Sequence, residues 1–540
     1  MSVVTEAELH DRRWWTLVVL CLSLLVTFVG NTSLNIALPT LARELHASTS
    51  QLQWSVSVYS LVFSGLLFIG GALGDRFGRK GTLQLGLLGF VAGAALATTA
   101  TEMWQIIACR ALMGAAAAFI MPSTLSILVN VFGPDERSKA IAIWAATTGA
   151  AGALGQLLSG WLLSHFWFGS IFLANVPIIA ATLVASFWLV PSSRDPEVGR
   201  LDPVGALLSV VGVSGIVYGL IEAPDLGWTS PRSLLAFVVA TIALFAFVQW
   251  ERHTEDPMLD MRYFRNPAFS MATSGMVVVY VAIYGVMFLF TQYFQFIQGY
   301  SPFETAVRLS PIAPLMMGIA PMTPRIVRTL GANRTVAIGM GLIGIAYMLL
   351  GQVTTTTPYI PIICVLCLQV IGAALTTSPI TASIMSAVPP RKAGQGSAMN
   401  NTTRELGTAL GVAVLGSLAA SRFTSGISGA ISGLSAGDRA AARESLSGAV
   451  AVARRLGKDQ AARLTDAANH AFVDGVRLAS FTGGVLAVLA AAAVLRWLPR
   501  HLEPRGAMKG PLEAAENMAE LGIGGAPPLF ADTAEDQVHH

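Results

Sequence analysis

The sequence predicts an all-α polytopic membrane protein with fourteen transmembrane helices, and three observations carry that prediction. Charged residues make up 12% of the 540 positions and hydrophobic residues 54%, where a soluble chain carries about a quarter charged. Mean hydropathy is +0.62. Apolar runs of roughly 20 residues recur along the whole chain, the length that crosses a hydrocarbon core of about 30 Å at 1.5 Å per helical residue. A segment in lipid must satisfy its own backbone hydrogen bonds, and no alternating pattern supports a barrel strand, so each run reads as a helix.

The runs fall at 15–38, 54–74, 82–100, 103–128, 138–162, 168–190, 203–222 and 232–250. They continue at 268–293, 303–323, 334–352, 358–386, 396–419 and 478–498. The first begins just after Arg12 and Arg13 with no small-residue cleavage site, so it reads as a retained span and not a signal peptide. An even count puts both termini on one side. Lys and Arg decide which: twenty lie in one set of loops and the tails, against only Arg43 and Arg232 in the short loops of the other set. Cytoplasmic loops carry the excess of basic residues, so both termini are expected in the cytoplasm, with the chain in the cytoplasmic (inner) membrane. Residues 420–477 form a long outside loop whose eight Lys/Arg fall where that rule is weak. Its "ARESLSGAVAVARRL" and "LTDAANHAFVDGVRLA" have helical periodicity and predict short amphipathic helices on the outer surface. The tail 499–540 is acidic and rich in Pro, Gly and Ala, which predicts disorder. The net charge of +3 says nothing of partners, and no nucleic-acid binding is expected.

Chemistry-bearing motifs are few. The four cysteines lie inside apolar runs, and Cys364 and Cys367 read as packing residues, so no metal or cofactor is expected. The stretch "GALGDRFGRKG" between the second and third runs packs Asp75, Arg76, Arg79 and Lys80 among Gly71, Gly74 and Gly78. It is not a phosphate-binding loop, because G-x-x-x-x-G-K-[ST] is absent. A loop this short needs glycine to reverse, and its charges can bond helix ends and one another across a closed face.

That stretch resembles the G-x-L-a-D-r-x-G-r-k signature of the major facilitator superfamily, which lies between helices 2 and 3 of that fold. Further stretches resemble its fourteen-span drug:proton antiporter branch, the EmrB/QacA-like exporters. They include "NIALPTL", "WSVSVYSL", "RALMGAAAA", "DERSKAIAIW", "FLANVP", "PMLDMRYFRN", "QGYSPFETA" and "AGQGSAMNNTTRELGTALGVAVLG". The resemblance covers residues 15–498. It implies an N-terminal six-helix half at 15–190 after a tail at 1–14, an inserted helix pair with linkers at 191–252, and a C-terminal six-helix half at 253–498. It also implies alternating access around a central cavity, a latch formed by the 71–80 loop, and a buried span-4 cation, Arg110, tied to proton coupling. "RIVRTLGANRT" at 325–335 occupies the equivalent loop of the second half and reads as a degenerate copy of the first.

The sequence departs from the branch at telling places. The acid usual in span 1 is Gly30, beside Asn31 and ahead of Asn35. The usual Gln of span 4 is Met113, and span 5 carries Gln156 and Ser159 where Pro and Gly are usual. The interiors of the first six spans hold no Asp or Glu, and none of the eight His lies mid-span. An ionisable residue at mid-span costs about 2.5–3.5 kcal/mol and marks a functional site by default. Proton coupling therefore falls to Glu405, Arg110 and Asp75. Glu405, next to Arg404, can instead sit at the interface with its neighbour reaching to water. Glu222 reads as an interfacial anchor. In span 9 Tyr280, Tyr284, Phe288, Gln292 and Gln295 recur on one helical face, which can line a cavity or pack against neighbours. With Asn31, Asn35 and Gln156 they describe a largely neutral cavity suited to lipophilic cargo better than to dications.

The expected function is secondary export of lipophilic small molecules in exchange for protons, by a monomer in contact with membrane lipids. Two alternatives stand beside it. One is export of an endogenous lipid or metabolite with weak or no proton coupling, as the missing span-1 acid suggests. The other is a membrane sensor or scaffold that transports nothing. None of the three is an enzyme.

Overall fold

The computed structural model describes residues 6–132, 134–192, 202–254, 257, 259–388 and 393–500. The side chains of 6–12, of Asp75 and of several residues in 68–72, 134–153 and 391–398 lie outside the description. Glu6–Glu44 (α1), Thr49–Phe77 (α2), Arg79–Thr98 (α3), Met103–Val131 (α4), Pro134–His165 (α5), Ser170–Leu173 (α6) and Asn175–Leu189 (α7) form one group. Pro203–Leu226 (α8) and Pro231–His253 (α9) are a hairpin. Pro267–Gln292 (α10), Pro302–Leu309 (α11), Ile312–Ile319 (α12), Thr323–Leu330 (α13), Ala332–Leu350 (α14), Tyr359–Ser386 (α15) and Ala393–Ile427 (α16) follow. Ala436–Glu444 (α17), Leu446–Ala453 (α18) and Lys458–Trp497 (α19) close the chain, and no described residue is in a strand.

Eleven of these helices among the described residues are long and apolar enough to cross a membrane. The runs expected at 54–74, 138–162 and 303–323 fold as α2, α5 and the α11–α13 stretch, outside that eleven. α2 carries Ser50, Ser55, Ser57, Ser60 and Ser64 along it. The third run is not the single helix expected. Pro311 and Pro321 remove backbone donors, and helix geometry breaks at Ser310 and again over Ala320–Met322.

Packing repeats itself between the two ends of the chain. α1 lies on α5 and α7, and α3 on α4 and α7. In the same relation α10 lies on α16 and α19, and α14 on α15 and α19. The turns repeat as well. Gly78, at φ +117°, ends α2 and starts α3, and Gly331, at φ +89°, ends α13 and starts α14. Only glycine enters that region without strain, so the duplication read at 325–335 has a backbone counterpart. The hairpin α8–α9 belongs to neither group but packs on both, α8 lying against α2 and α16.

The outside-loop expectation needs correcting. α17 and α18 are short helices, but "LTDAANHAFVDGVRLA" is not a third. It is the first part of α19, which runs unbroken for 40 residues into the last apolar run. No Pro or turn residue separates the two, so nothing stops the helix. Cys364 is exposed, not packed, and all four cysteines are free. The tail expected to be disordered, from 501 onward, lies outside the described residues.

Candidate functional site

The site is built where α4 closes onto α2. A Cβ on Gly114 would stand 2.5 Å from the Tyr59 carbonyl oxygen, so only glycine lets the two helices approach this far. One turn away on α4, Arg110 is 0% exposed, with its guanidinium 4.2 Å from the centroid of the Tyr59 ring. Its donors are spread over three neighbours. Nη2 donates to Asn31 Oδ1 at 2.9 Å, Nη1 to the Gly30 carbonyl at 3.2 Å and Nε to the Ser55 carbonyl at 3.1 Å. A buried cation without such compensation is costly by several kcal/mol. Here oriented dipoles and a ring face supply it, with no carboxylate bonded to the guanidinium among the described residues.

The residue after Tyr59 carries the layer into the second half. Ser60 Oγ donates to Glu405 Oε2 at 2.7 Å, from α2 to α16. Glu405 is therefore held against the middle of α2. Successive helical residues point about 100° apart, so Arg404 faces α10 instead. Its guanidinium lies 5.2 Å from the Tyr280 ring, which stacks on Tyr284 at 5.7 Å. Arg404 Nε is buried without a hydrogen-bond partner among the described residues. Arg110, Tyr59, Ser60, Glu405, Arg404, Tyr280 and Tyr284 thus form one polar layer across the bundle.

The stripe expected along span 9 divides. Tyr280 and Tyr284 belong to the layer. Phe288 is 1% exposed and packed in the core. Gln292 donates to the Phe288 carbonyl of its own helix at 3.1 Å. A short π-helical turn at Tyr293–Ile297 then swings Gln295 toward α1, where it donates to the Ile36 carbonyl at 2.9 Å. These last three are packing and interface residues, and for Gln295 the added residue of the π-helical turn shifts the register. Asn35 and Gln156 are half-buried and make no hydrogen bond among the described residues, which leaves their amides open to a ligand.

Gly30 and Met113 prove to be neighbours. A Cβ on Gly30 would meet Phe90 Cζ at 3.1 Å and Met113 Cε at 3.5 Å. Two departures from the branch pattern are therefore one local change, an apolar plug beside Arg110.

Around the 71–80 loop, Gly74 is buried and Gly71 half-buried, while Arg76 is exposed with its guanidinium 5.5 Å from the Phe77 ring. Lys80 Nζ donates to the Phe187 carbonyl at 2.8 Å. Arg79 is half-buried, and the Asp75 side chain lies outside the described residues. At the opposite end Glu222 does more than anchor, since Trp54 Nε1 donates to its Oε1 at 2.8 Å. Ser50 Oγ donates to Asp225 Oδ2 and Ser417 Oγ to the Leu220 carbonyl at 2.6 Å. α8 thereby holds α2 and α16 together. Among the described residues, the hydrogen bonds that cross between the halves lie at the Glu405 layer or toward the end bearing α17 and α18. They include Ser57 to Ala409 O, Ser417 to Gln53 and Phe303 N to Ser164 Oγ.

Ser60, Tyr59 and Ser55 were not singled out from sequence. Their signal was there: Ser57, Ser60 and Ser64 fall on one face of a helix that otherwise belongs in lipid.

Residues 20–412 match the family model described as Major Facilitator Superfamily. The multidrug efflux pump LfrA of Mycolicibacterium smegmatis is 33% identical over 485 residues, covering 90% of this chain and 96% of that protein. The methyl viologen resistance protein SmvA of Salmonella typhimurium is 32% identical over 488 residues, 89% of this chain and 98% of that protein. Among solved structures, a bacterial homologue of the human lysosomal transporter Spinster, inward-facing and unoccupied, aligns with a TM-score of 0.61. It covers 90% of this chain and 98% of that one at 16% identity, a likeness of fold alone.

Proposed function

The chain belongs to the major facilitator superfamily, a family of transporters and not enzymes, and from that premise we propose that it exports lipophilic drug-like compounds in exchange for protons. Its relatives are named for multidrug efflux and for methyl viologen resistance, which supports a drug-like cargo. The observation that carries the mechanism is the layer in which Glu405 of one half is bonded through α2 to the neighbourhood of buried Arg110 in the other. A carboxyl group held inside the barrier can load and release a proton as the two halves rock. Protonation removes its charge and weakens the Ser60 contact. Loosening that contact frees α2 from α16, so proton binding and conformational change become one event.

The proposed topology has fourteen spans, with α2, α5 and the broken α11–α13 stretch added to the eleven apolar helices, in the cytoplasmic membrane with both termini inside. The division at 15–190, 191–252 and 253–498 accounts for the repeated packing. In that orientation the cross-half hydrogen bonds lie in the outer part of the bundle, and the cavity opens inward. Cargo would enter between the halves past Asn31, Asn35, Gln156, Tyr280 and Tyr284, as a monomer surrounded by lipid. Asp75 and Arg79 would latch the inner side in the opposite state. Dye efflux from vesicles loaded with the purified protein, with and without an imposed pH gradient, tests this. Uptake or efflux that ignores the gradient overturns proton exchange, and no movement at all overturns transport.

A further inference from the structure

A second site lies 16 or more residues from Glu405 in sequence, at the end of the bundle where α8, α16 and α17 meet. A cavity of about 470 Å³ opens there, lined by Pro224, Trp228, Ser421, Thr424, Arg439 and Arg443 among others. No carboxylate is among its lining residues. Arg439 and Arg443 are one turn apart on α17 and so face the same way. Neither makes an ion pair among the described residues, whereas nearby Arg422 and Arg477 both bond Asp474, at 3.2 Å and 3.6 Å. The nearby acids are engaged outside the lining, with Glu444, next to Arg443, facing Asp225. Asp438 accepts from Ser435 Oγ at 2.7 Å as part of the α17 cap, and Asp225 accepts from Ser50 on α2.

The hydroxyls sort in the same way. Ser425, Ser428 and Ser432 donate to backbone carbonyls of their own segment. Ser421 Oγ is buried with no hydrogen-bond partner among the described residues, and Thr424 donates to none of them. The cavity therefore offers two guanidinium groups and two uncommitted hydroxyls, all donors. Planar guanidinium donors paired with hydroxyls match the oxygens of a phosphate. Trp228 and Pro224 at the tip of α8 supply an apolar wall, and exposed Trp is a residue of the lipid–water boundary. The family match ends at residue 412, ahead of α17 and of most of this lining.

We infer that this cavity binds a phosphate-bearing ligand at the outer face of the protein, reached either from the outer leaflet as a lipid headgroup or from solution. Ligand there would bridge α17 to α16 and α8, the helix that itself ties the two halves together.

The test uses the full chain in phosphatidylcholine nanodiscs. Phosphatidylglycerol retention is read by native mass spectrometry, and inorganic phosphate and glycerol 3-phosphate are titrated by calorimetry. The double variant Arg439→Gln/Arg443→Gln changes two exposed side chains, and Arg463→Gln on exposed α19 surface is the control for general charge. Retention of phosphatidylglycerol that falls tenfold or more in the double variant, and not in the control, supports the lipid source. Binding of the soluble phosphates alone, with the same loss, supports the solution source of the same chemistry. If the wild type binds neither, or if the double variant binds as the wild type does, the site is overturned. A thermal-unfolding curve unchanged between the apo proteins shows that loss of binding is not loss of fold.

Discussion

Ser60 Oγ stands 2.7 Å from Glu405 Oε2, a bond from the middle of α2 to the middle of α16. The peptide that carries Ser60 also carries Tyr59, whose ring lies 4.2 Å under the Arg110 guanidinium. Two charges on opposite halves therefore share one support, two adjacent residues of α2. A hydrogen bond to an ionised group is worth about 1.5–3 kcal/mol, and about 1.4 kcal/mol is a tenfold change in rate. Ser60→Ala is expected to slow efflux about tenfold with expression intact. Ser60→Thr, which keeps the hydroxyl, should remain within a few-fold of wild type. Equal rates in Ser60→Ala and wild-type vesicles would show that the bond does not hold the transport cycle.

Glu405→Gln should abolish the response of transport to a pH gradient while cargo still binds. Glutamine keeps the shape and can still accept from Ser60, so folding is preserved and only the titration is lost. Binding is checked by fluorescence of a dye cargo on the purified protein, and coupling by efflux with and without the gradient. Full pH response in the variant would move coupling to Asp75 or remove it.

Arg110→Lys tests whether charge alone suffices. The guanidinium reaches Gly30, Asn31 and Ser55 at once through three nitrogens. A Lys ammonium is one point donor on a flexible stem and cannot span that fork. Efflux is expected to fall at least tenfold in Arg110→Lys, measured at matched protein yield. Wild-type rates in this variant would mean that a positive charge in the pocket is all the cycle needs.

Composition and run length were enough to read the helical membrane class and most helix positions, because about 20 apolar residues have few other uses. Breaks were harder. The prolines of 302–330 were visible, yet most of the residues between them are apolar, so the hydropathy run looked continuous. Phe288 shows the limit for the site. It shares a helical face with Tyr280 and Tyr284 on paper, but α10 is flanked by α16 and α19 and the face passes from the polar layer into the core. Ser60 was illegible for another reason. A serine inside a helix usually bonds its own backbone, as Ser64 does with the Leu61 carbonyl at 3.1 Å, and only tertiary structure shows which serine reaches another helix.

That division of the aromatic stripe gives opposite expectations for neighbouring residues. Tyr284→Ala should change which dyes are carried at near-normal yield, because its ring stacks on Tyr280 beside Arg404. Phe288→Ala empties a packed position, which costs about 3–5 kcal/mol, and should lower yield and thermal stability without changing the cargo profile. Competition between two dyes in vesicles separates the outcomes. A shifted profile in Phe288→Ala would return that residue to the cavity.

The last prediction joins the two departures beside Arg110. Gly30 faces Phe90 and Met113 at contact distance, and its carbonyl already serves the guanidinium. An aspartate at 30 would thus bring a carboxylate against a ring and a thioether, neither of which donates a hydrogen bond. A buried charge left without partners costs several kcal/mol. Gly30→Asp alone is therefore expected to lower yield and melting temperature. Met113→Gln adds an amide donor on the side the Cβ faces, where Arg110 is already engaged by the Gly30 and Asn31 oxygens, so Gly30→Asp/Met113→Gln should recover much of the loss. The double variant would also place a second titratable group in the layer, and its efflux should respond more steeply to a pH gradient than that of the wild type. Should Gly30→Asp fold as well as wild type, with Met113→Gln adding nothing, the two positions are independent. Glycine at 30 would then owe nothing to methionine at 113.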